Sequence, residues 1–213
     1  MARMTWQARK HLAALLPPQE AMILEAFQGE TLVQGKVDVQ NEPLYDTFNL
    51  GAVAITQNNT ALFTAVGPGS GKTYGTCNLG QSRRLPAPEA FSILGIRLYW
   101  NEDILIADLL AIVGNAAVTP YAFEFYLGQK CYNRGPLWYY SSGGGFVTQT
   151  TTLATGLYTN GMPDRGSAHK LAIPLVIENQ GEFYAQLVGG PYTVTGTFSL
   201  MCLLDGLHAR GVA

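Results

Sequence analysis

The chain has 213 residues, which at roughly 100–200 residues per domain makes one domain with room for a short arm. Only 13% of the residues are charged, against about 25% in an ordinary soluble protein, and Gly (24), Pro (11) and Tyr (11) fill the deficit. A net charge of −2 excludes a strongly basic, phosphate-binding domain, and 47% apolar residues exclude a disordered chain.

In chain order, the first expected element is a short helix over residues 4–16. Met4, Ala8, Leu12 and Leu15 recur at helical spacing, Arg9, Lys10 and His11 lie on the other side, and Pro17-Pro18 stops it. Such a helix either packs on its own domain or a neighbour, or touches a membrane surface with its basic side. Trp6, Arg9 and Lys10 are its candidate contact residues. The prolines and His11 also break what a signal-peptide core would need, so the chain reads as unsecreted and made in a reducing compartment. Residues 1–26 are therefore assigned to an N-terminal helical arm and 27–213 to a β-sandwich domain.

From residue 27 onward the period changes to two. Val37, Asp38 and Val39 alternate, as do Ile96, Leu98 and Trp100 with Arg97 and Tyr99. Asn101-Glu102-Asp103 then opens an apolar run that ends at Gly114-Asn115, which predicts a short helix with an acidic first turn, crossing between strands. Phe123, Phe125 and Leu127 alternate with Glu124 and Tyr126. Leu171, Ile173, Leu175 and Ile177 share one face, and Phe183, Ala185 and Leu187 share another. The clearest strand is the last: Val194, Gly196, Phe198, Leu200, Cys202 and Leu204 face one way, and Thr193, Thr195, Thr197 and Ser199 the other. Eight or nine antiparallel strands with one inserted helix make an all-β sandwich or barrel.

Chemistry-bearing patterns are few. Val66-Gly67-Pro68-Gly69-Ser70-Gly71-Lys72-Thr73 imitates a phosphate-binding loop, but Val66 stands at the first glycine position and no helical stripe follows. The expected reading is a Gly-rich loop between strands; nucleotide binding through Lys72 and Thr73 is the lesser alternative. Three cysteines without CxxC spacing and three scattered histidines give no metal set, and no nucleophile elbow exists, so neither cofactor nor enzymatic activity is expected. Tyr132, Trp138, Tyr139 and Tyr140 cluster around Gly135-Pro136, where they would anchor an interface or stack on sugar rings. Tyr74 and Tyr158 join Trp138, Tyr139 and Tyr140 as interface candidates.

The order of several features adds a resemblance. Asn78-Leu79 follows the Gly-rich loop, then Leu85-Pro86-Ala87-Pro88 leads into Ser92-Ile93-Leu94-Gly95-Ile96. Asp108-Leu109-Leu110, Gly135-Pro136-Leu137, Ile173-Pro174-Leu175-Val176-Ile177 and a final Leu204-Asp205-Gly206-Leu207-His208 complete it. Over roughly residues 30–213 the chain resembles the jelly-roll capsid proteins of tailless icosahedral bacteriophages, including the membrane-containing type. The resemblance implies a single eight-stranded jelly roll, a structural role in a virion assembled after synthesis in the host cytoplasm, and symmetric capsomers of the chain with itself. A second capsid protein, an inner membrane or a neighbouring subunit reached by the arm would be further partners; no sequence-specific nucleic acid is expected. The alternative class is a carbohydrate-binding jelly-roll module.

Overall fold

The computed structural model describes residues 37–50, 54–55, 59–64, 71–100, 104–113, 121–142, 147–148, 158–159 and 169–211. The expected arm lies outside the described residues. The described strands are β1 (Val37–Gln40), β2 (Leu44–Leu50), β3 (Ala54–Ile55), β4 (Asn59–Leu62), β5 (Ala90–Trp100), β6 (Ala122–Leu127) and β7 (Lys130–Pro136). They continue as β8 (Val147–Thr148), β9 (Tyr158–Thr159), β10 (His169–Ile177), β11 (Phe183–Val188), β12 (Tyr192–Thr193) and β13 (Phe198–Gly211). A helix, α1 (Ile106–Ile112), and a 3-10 turn (Leu137–Tyr140) interrupt them.

The long strands form two antiparallel sheets. One runs β1-β13-β5-β10, with β2 also paired to β13; the other runs β4-β11-β6-β7. Alternation dictates which side each strand buries. Phe198, Leu200, Cys202 and Leu204 of β13, Ile96, Leu98 and Trp100 of β5, Phe123 and Phe125 of β6, and Phe183, Ala185 and Leu187 of β11 all have no solvent exposure. They belong to one core cluster that draws on both sheets, so the architecture is an all-β sandwich. Each large side chain buried there contributes about 1.5–3 kcal/mol. Trp100 and Phe198 meet with ring centroids 5.6 Å apart, and Phe63 and Phe183 at 5.4 Å. Burial pushes the Cys202 thiol well up, so it stays a neutral core thiol.

Three expectations are corrected in detail. The run from 193 to 204 is not one strand, because β12 ends at Thr193 and β13 begins at Phe198. The cause is Asp108 of α1, a fully buried carboxylate that accepts from Thr195 N (3.1 and 3.0 Å), Gly196 N (3.1 Å) and Tyr192 Oη (2.8 Å). Backbone donors spent on a side chain are lost to a ladder. Asp108 is also the acid of the helix's first turn, which begins at Ile106 rather than at 101; residues 101–103 and 114–115 lie outside the described ones. In β10, Ile173 is 73% exposed instead of inward. Pairing jumps from Lys170↔Gly95 to Leu175↔Ile93, so four residues oppose Leu94 alone, and Pro174 among them has no N–H to give.

A second bulge requires glycine. Between Asp205↔Gly95 and Gly206↔Ile93 the β13–β5 register shifts, and a Cβ on Gly206 would stand 1.9 Å from the Ser92 carbonyl oxygen. At one end of the sandwich the β4–β5 loop, the turn at 128–129 and the loop at 178–182 are tied by Arg83 N to Phe63 O, Phe183 N to Arg83 O and Gly128 N to Glu182 O. At the other end the Asp108 contacts join α1 to the 189–197 loop.

Phe198→Ala should cost about 3–5 kcal/mol, the usual loss for a large core truncation. Exposed Thr197→Ala should cost under about 1 kcal/mol. Denaturant unfolding of the two variants checks this, and equal losses would mean that Phe198 does not carry that core packing.

Candidate functional site

A pair of exposed aromatic rings sits where β7 ends. Pro136 supplies no N–H, and the chain enters the 3-10 turn, in which positions i and i+3 share a side. Leu137 and Tyr140 therefore point inward with no exposure, while Trp138 and Tyr139 stand out at 53% and 52%. The turn is held by Ser141, whose N and Oγ donate to Trp138 O (3.4 and 3.0 Å) and which bridges to Leu98 of β5.

Tyr140, grouped by sequence with the interface residues, is instead core. Its ring lies 5.0 Å from Phe123 and 5.1 Å from His169, and its hydroxyl donates to Asn133 Oδ1. Burial pushes its phenol far up, so it stays protonated. A Cβ at Gly135 would meet that hydroxyl at 2.9 Å, which explains the glycine beside it. Trp138 and Tyr139 meet edge to face at 6.2 Å, and Tyr139 also rests 4.5 Å from His169. Burial lowers the His169 pKa, which favours a neutral ring under the ledge. The result is a pair of outward rings on a fixed base.

The other sequence candidates are not gathered here. Tyr74 is 85% exposed on the β4–β5 loop, which leaves the opposite end of the sandwich. Tyr158 belongs to β9 and pairs with Thr148; its side chain is outside the described residues, as are Trp6, Arg9 and Lys10.

Lys72 of the Gly-rich loop is engaged inside the protein. Its Nζ lies 2.6 Å from Oδ1 of fully buried Asp46, which also accepts from Phe63 N (2.6 Å) and Thr47 N (2.9 Å). Residues 71–80 form turns and an isolated bridge from Cys77 to Asp46, not the helix whose N-terminus a phosphate loop needs. Lys72→Ala leaves a buried carboxylate without its counter-charge, so it should destabilise the fold by about 3–5 kcal/mol. Thermal unfolding checks this; a stable variant that has lost micromolar ATP or GTP binding would restore the nucleotide reading.

Two polar clusters were not found from sequence. On the outer face of the four-stranded sheet, Glu124 accepts from Arg134 Nε (2.6 Å), Tyr126 Oη (2.7 Å) and Gln186 Nε2 (2.6 Å). Tyr126 stacks on Tyr184 at 4.8 Å, with the Arg83 guanidinium 5.0 Å over the Tyr184 ring. Alternation places Glu124 outside, but only the β7–β6–β11 register brings its three partners together. At the β1–β13 end, His208 Nε2 lies 3.1 Å from Glu89 and its Nδ1 3.7 Å from Glu42, which also binds Arg210 at 2.6 Å. Among the described residues no group of His, Cys, Asp and Glu is arranged to hold a metal ion, and no helix is long and apolar enough to cross a membrane.

Burial works to raise the Glu124 pKa, but the hydrogen bonds from Tyr126 and Gln186 and the Arg134 charge outweigh it and hold it low. The Glu124 bond in turn pushes the Tyr126 phenol up to about 12. An unfolded glutamate titrates near about 4.3. The Glu124 contribution is therefore complete above that value and disappears as pH falls through the lower folded pKa. Glu124→Gln should flatten the acid side of a plot of thermal midpoint against pH and leave the rest of its shape unchanged.

No protein-family model, curated protein or solved structure matches this chain.

Proposed function

We propose that the protein is a structural protein of a viral capsid, built as a single eight-stranded jelly roll that forms symmetric capsomers with its own copies. The observation that carries this reading is the strand order. With β1 and β2 counted as one interrupted strand, the eight long strands numbered along the chain run 1-8-3-6 in one sheet and 2-7-4-5 in the other. That is the order produced by the two nested Greek keys of a jelly roll, an architecture used by capsid proteins, lectins and cupins. The short ribbons β12–β3 and β8–β9 lie outside this order as additions in the connections.

Within that architecture the capsid role is supported by composition and surface. With 13% charged residues, much of the exterior is neutral, which favours association over life as a monomer. Trp138, Tyr139 and Tyr74 are large, exposed and carried by connections rather than by the sheets, where capsomer neighbours meet. Aromatic side chains of this kind form the anchors of protein interfaces. Paired exposed rings also suit sugar stacking, so a carbohydrate-binding module is the second reading, favoured by the Trp138–Tyr139 pair alone.

Electron microscopy and light scattering of the purified chain test the proposal. Symmetric oligomers or particles are expected; a chain that stays monomeric at high concentration, and is absent from any particle, overturns it. Trp138→Ala with Tyr139→Ala should weaken assembly by at least about tenfold, since an interface anchor is worth about 2 kcal/mol or more, while moving the thermal midpoint little. Quenching of Trp138 fluorescence by an oligosaccharide, with assembly unaffected by the double variant, would favour the carbohydrate reading.

A further inference from the structure

Strand β10 forms the border of the five-stranded sheet, with no strand on its other side among the described residues. Leu171 and Leu175 pack on the core, yet Ile173 between them stands 73% exposed, lifted out where residues 171–174 oppose Leu94 alone. A bulge forgoes ladder bonds and re-aims a side chain, so part of this border is given up to present one large apolar group. Both ends of the strand carry a charge. His169 turns its ring to Tyr140 and Ile177 is buried, so alternation sends Lys170 and Glu178 to the outer side, where both are exposed. They are the only Lys, Arg, Asp or Glu between 169 and 178, and neither has an ion-pair partner among the described residues.

This border is self-complementary. Lys170 stands level with Gly95 and Ile177 with Phe91, so Glu178 comes level with Ala90. Lys170 and Glu178 are therefore about 17 Å apart along the sheet at ~3.3 Å per residue. A second copy set antiparallel along the same border, about a two-fold axis perpendicular to the sheet, brings Lys170 of each copy level with Glu178 of the other. Both pairs form at once on the same outer side, with the two Ile173 side chains between them. His169 is one position beyond Lys170, so the Trp138–Tyr139 pair that rests on it lies toward the other copy's turn at 178–181. A foreign extended strand fits poorly here. The bulge breaks the ladder and Pro174 has no N–H, so backbone pairing fails at mid-strand and side chains select the partner.

We propose that β10 meets β10 of a second copy of this chain across such a two-fold axis, with Ile173 as the apolar anchor and two Lys170–Glu178 pairs fixing the register. Isologous contacts of this kind are the commonest in symmetric assemblies. Exposed ion pairs add modest affinity and mainly fix orientation, so the strength of the contact comes from Ile173 and its neighbours. The contact rests on the self-association of the capsid reading and adds to it the surface through which two copies join.

Sedimentation velocity of the full chain at low ionic strength, where exposed ion pairs are least screened, tests this. Ile173→Asp should weaken self-association by at least about tenfold and leave the thermal midpoint unchanged, since the side chain is exposed. Lys170→Glu and Glu178→Lys should each weaken it by at least about threefold, because each places two like-charged pairs in the contact. An equimolar mixture of these two variants should regain the wild-type association, since a mixed pair of copies again opposes unlike charges at both ends. A wild-type chain that assembles while Ile173→Asp assembles equally well, or while the mixture is no tighter than the single variants, overturns this contact and leaves the capsid reading standing. A wild-type chain that stays monomeric overturns both. If Ile173→Asp unfolds, the mixture alone decides.

Discussion

The five-stranded sheet depends on its last strand. β13 pairs with β1 and β2 on one side and with β5 on the other, so without it the first two strands would have no sheet to join. Val37 meets Gly211, and Leu50 meets Phe198, across nearly the whole described length of the chain. Pairings this distant in sequence pay their loop-closure entropy before any contact rewards them, so the fold belongs with slow, high-contact-order topologies. The compensation is the inward row of β13. Phe198, Leu200, Cys202 and Leu204 enter the common core, and Phe198 carries ring contacts to both Trp100 and Phe48.

Around that core, a chain poor in charge keeps several of its carboxylates out of water. Asp46 and Asp108 are fully buried, and Glu124 nearly so. Each is supplied with donors: Lys72 and two backbone N–H groups for Asp46, two backbone N–H groups and a tyrosine for Asp108, and an arginine, a tyrosine and a glutamine for Glu124. A buried charge that is satisfied adds little net stability compared with an apolar substitute, but it is costly to break and admits few geometries. These carboxylates sit where the sheets cannot specify the chain: Asp108 shapes the 192–196 bend, and Asp46 ties down the loop that carries Lys72.

The sandwich was legible in sequence wherever the period-two pattern was clean. Phe123 and Phe125, Phe183 to Leu187, and Phe198 to Leu204 are buried as alternation requires, because each strand has one side in the core. The pattern misled at Ile173, which a bulge around Pro174 exposes although Leu171 still packs on the core, and at 194–197, where Asp108 takes the backbone donors and interrupts the strand although Val194 stays buried. Both depend on residues distant in sequence, so no local window contains them. The site was half legible. Trp138 and Tyr139 are exposed, but Tyr140 is not; the three-residue period of the turn, rather than the run of aromatics, decides which rings face out. The Glu124 cluster required the registers of three strands, which sequence alone does not supply.

The remaining charges point to how this surface behaves toward neighbours. Arg97 is paired with Asp205, Arg134 with Glu124, Arg210 with Glu42, and Arg83 lies 3.7 Å from Glu182. Charges that already have partners project little field, and with a net charge of −2 copies of the chain repel one another weakly. Another neutral surface can then approach without stripping water from isolated ions, the expensive step when charged faces meet. What such contacts lack in steering must come from shape and from rings that are already fixed. Trp138 and Tyr139 meet that need: the turn is anchored by Ser141 and by buried Tyr140, so their backbone is ordered before any partner arrives and little entropy remains to be lost on association. Individually modest, preorganised contacts repeated by symmetry give a large total while each stays reversible, which is the requirement of an assembling shell under the proposed function.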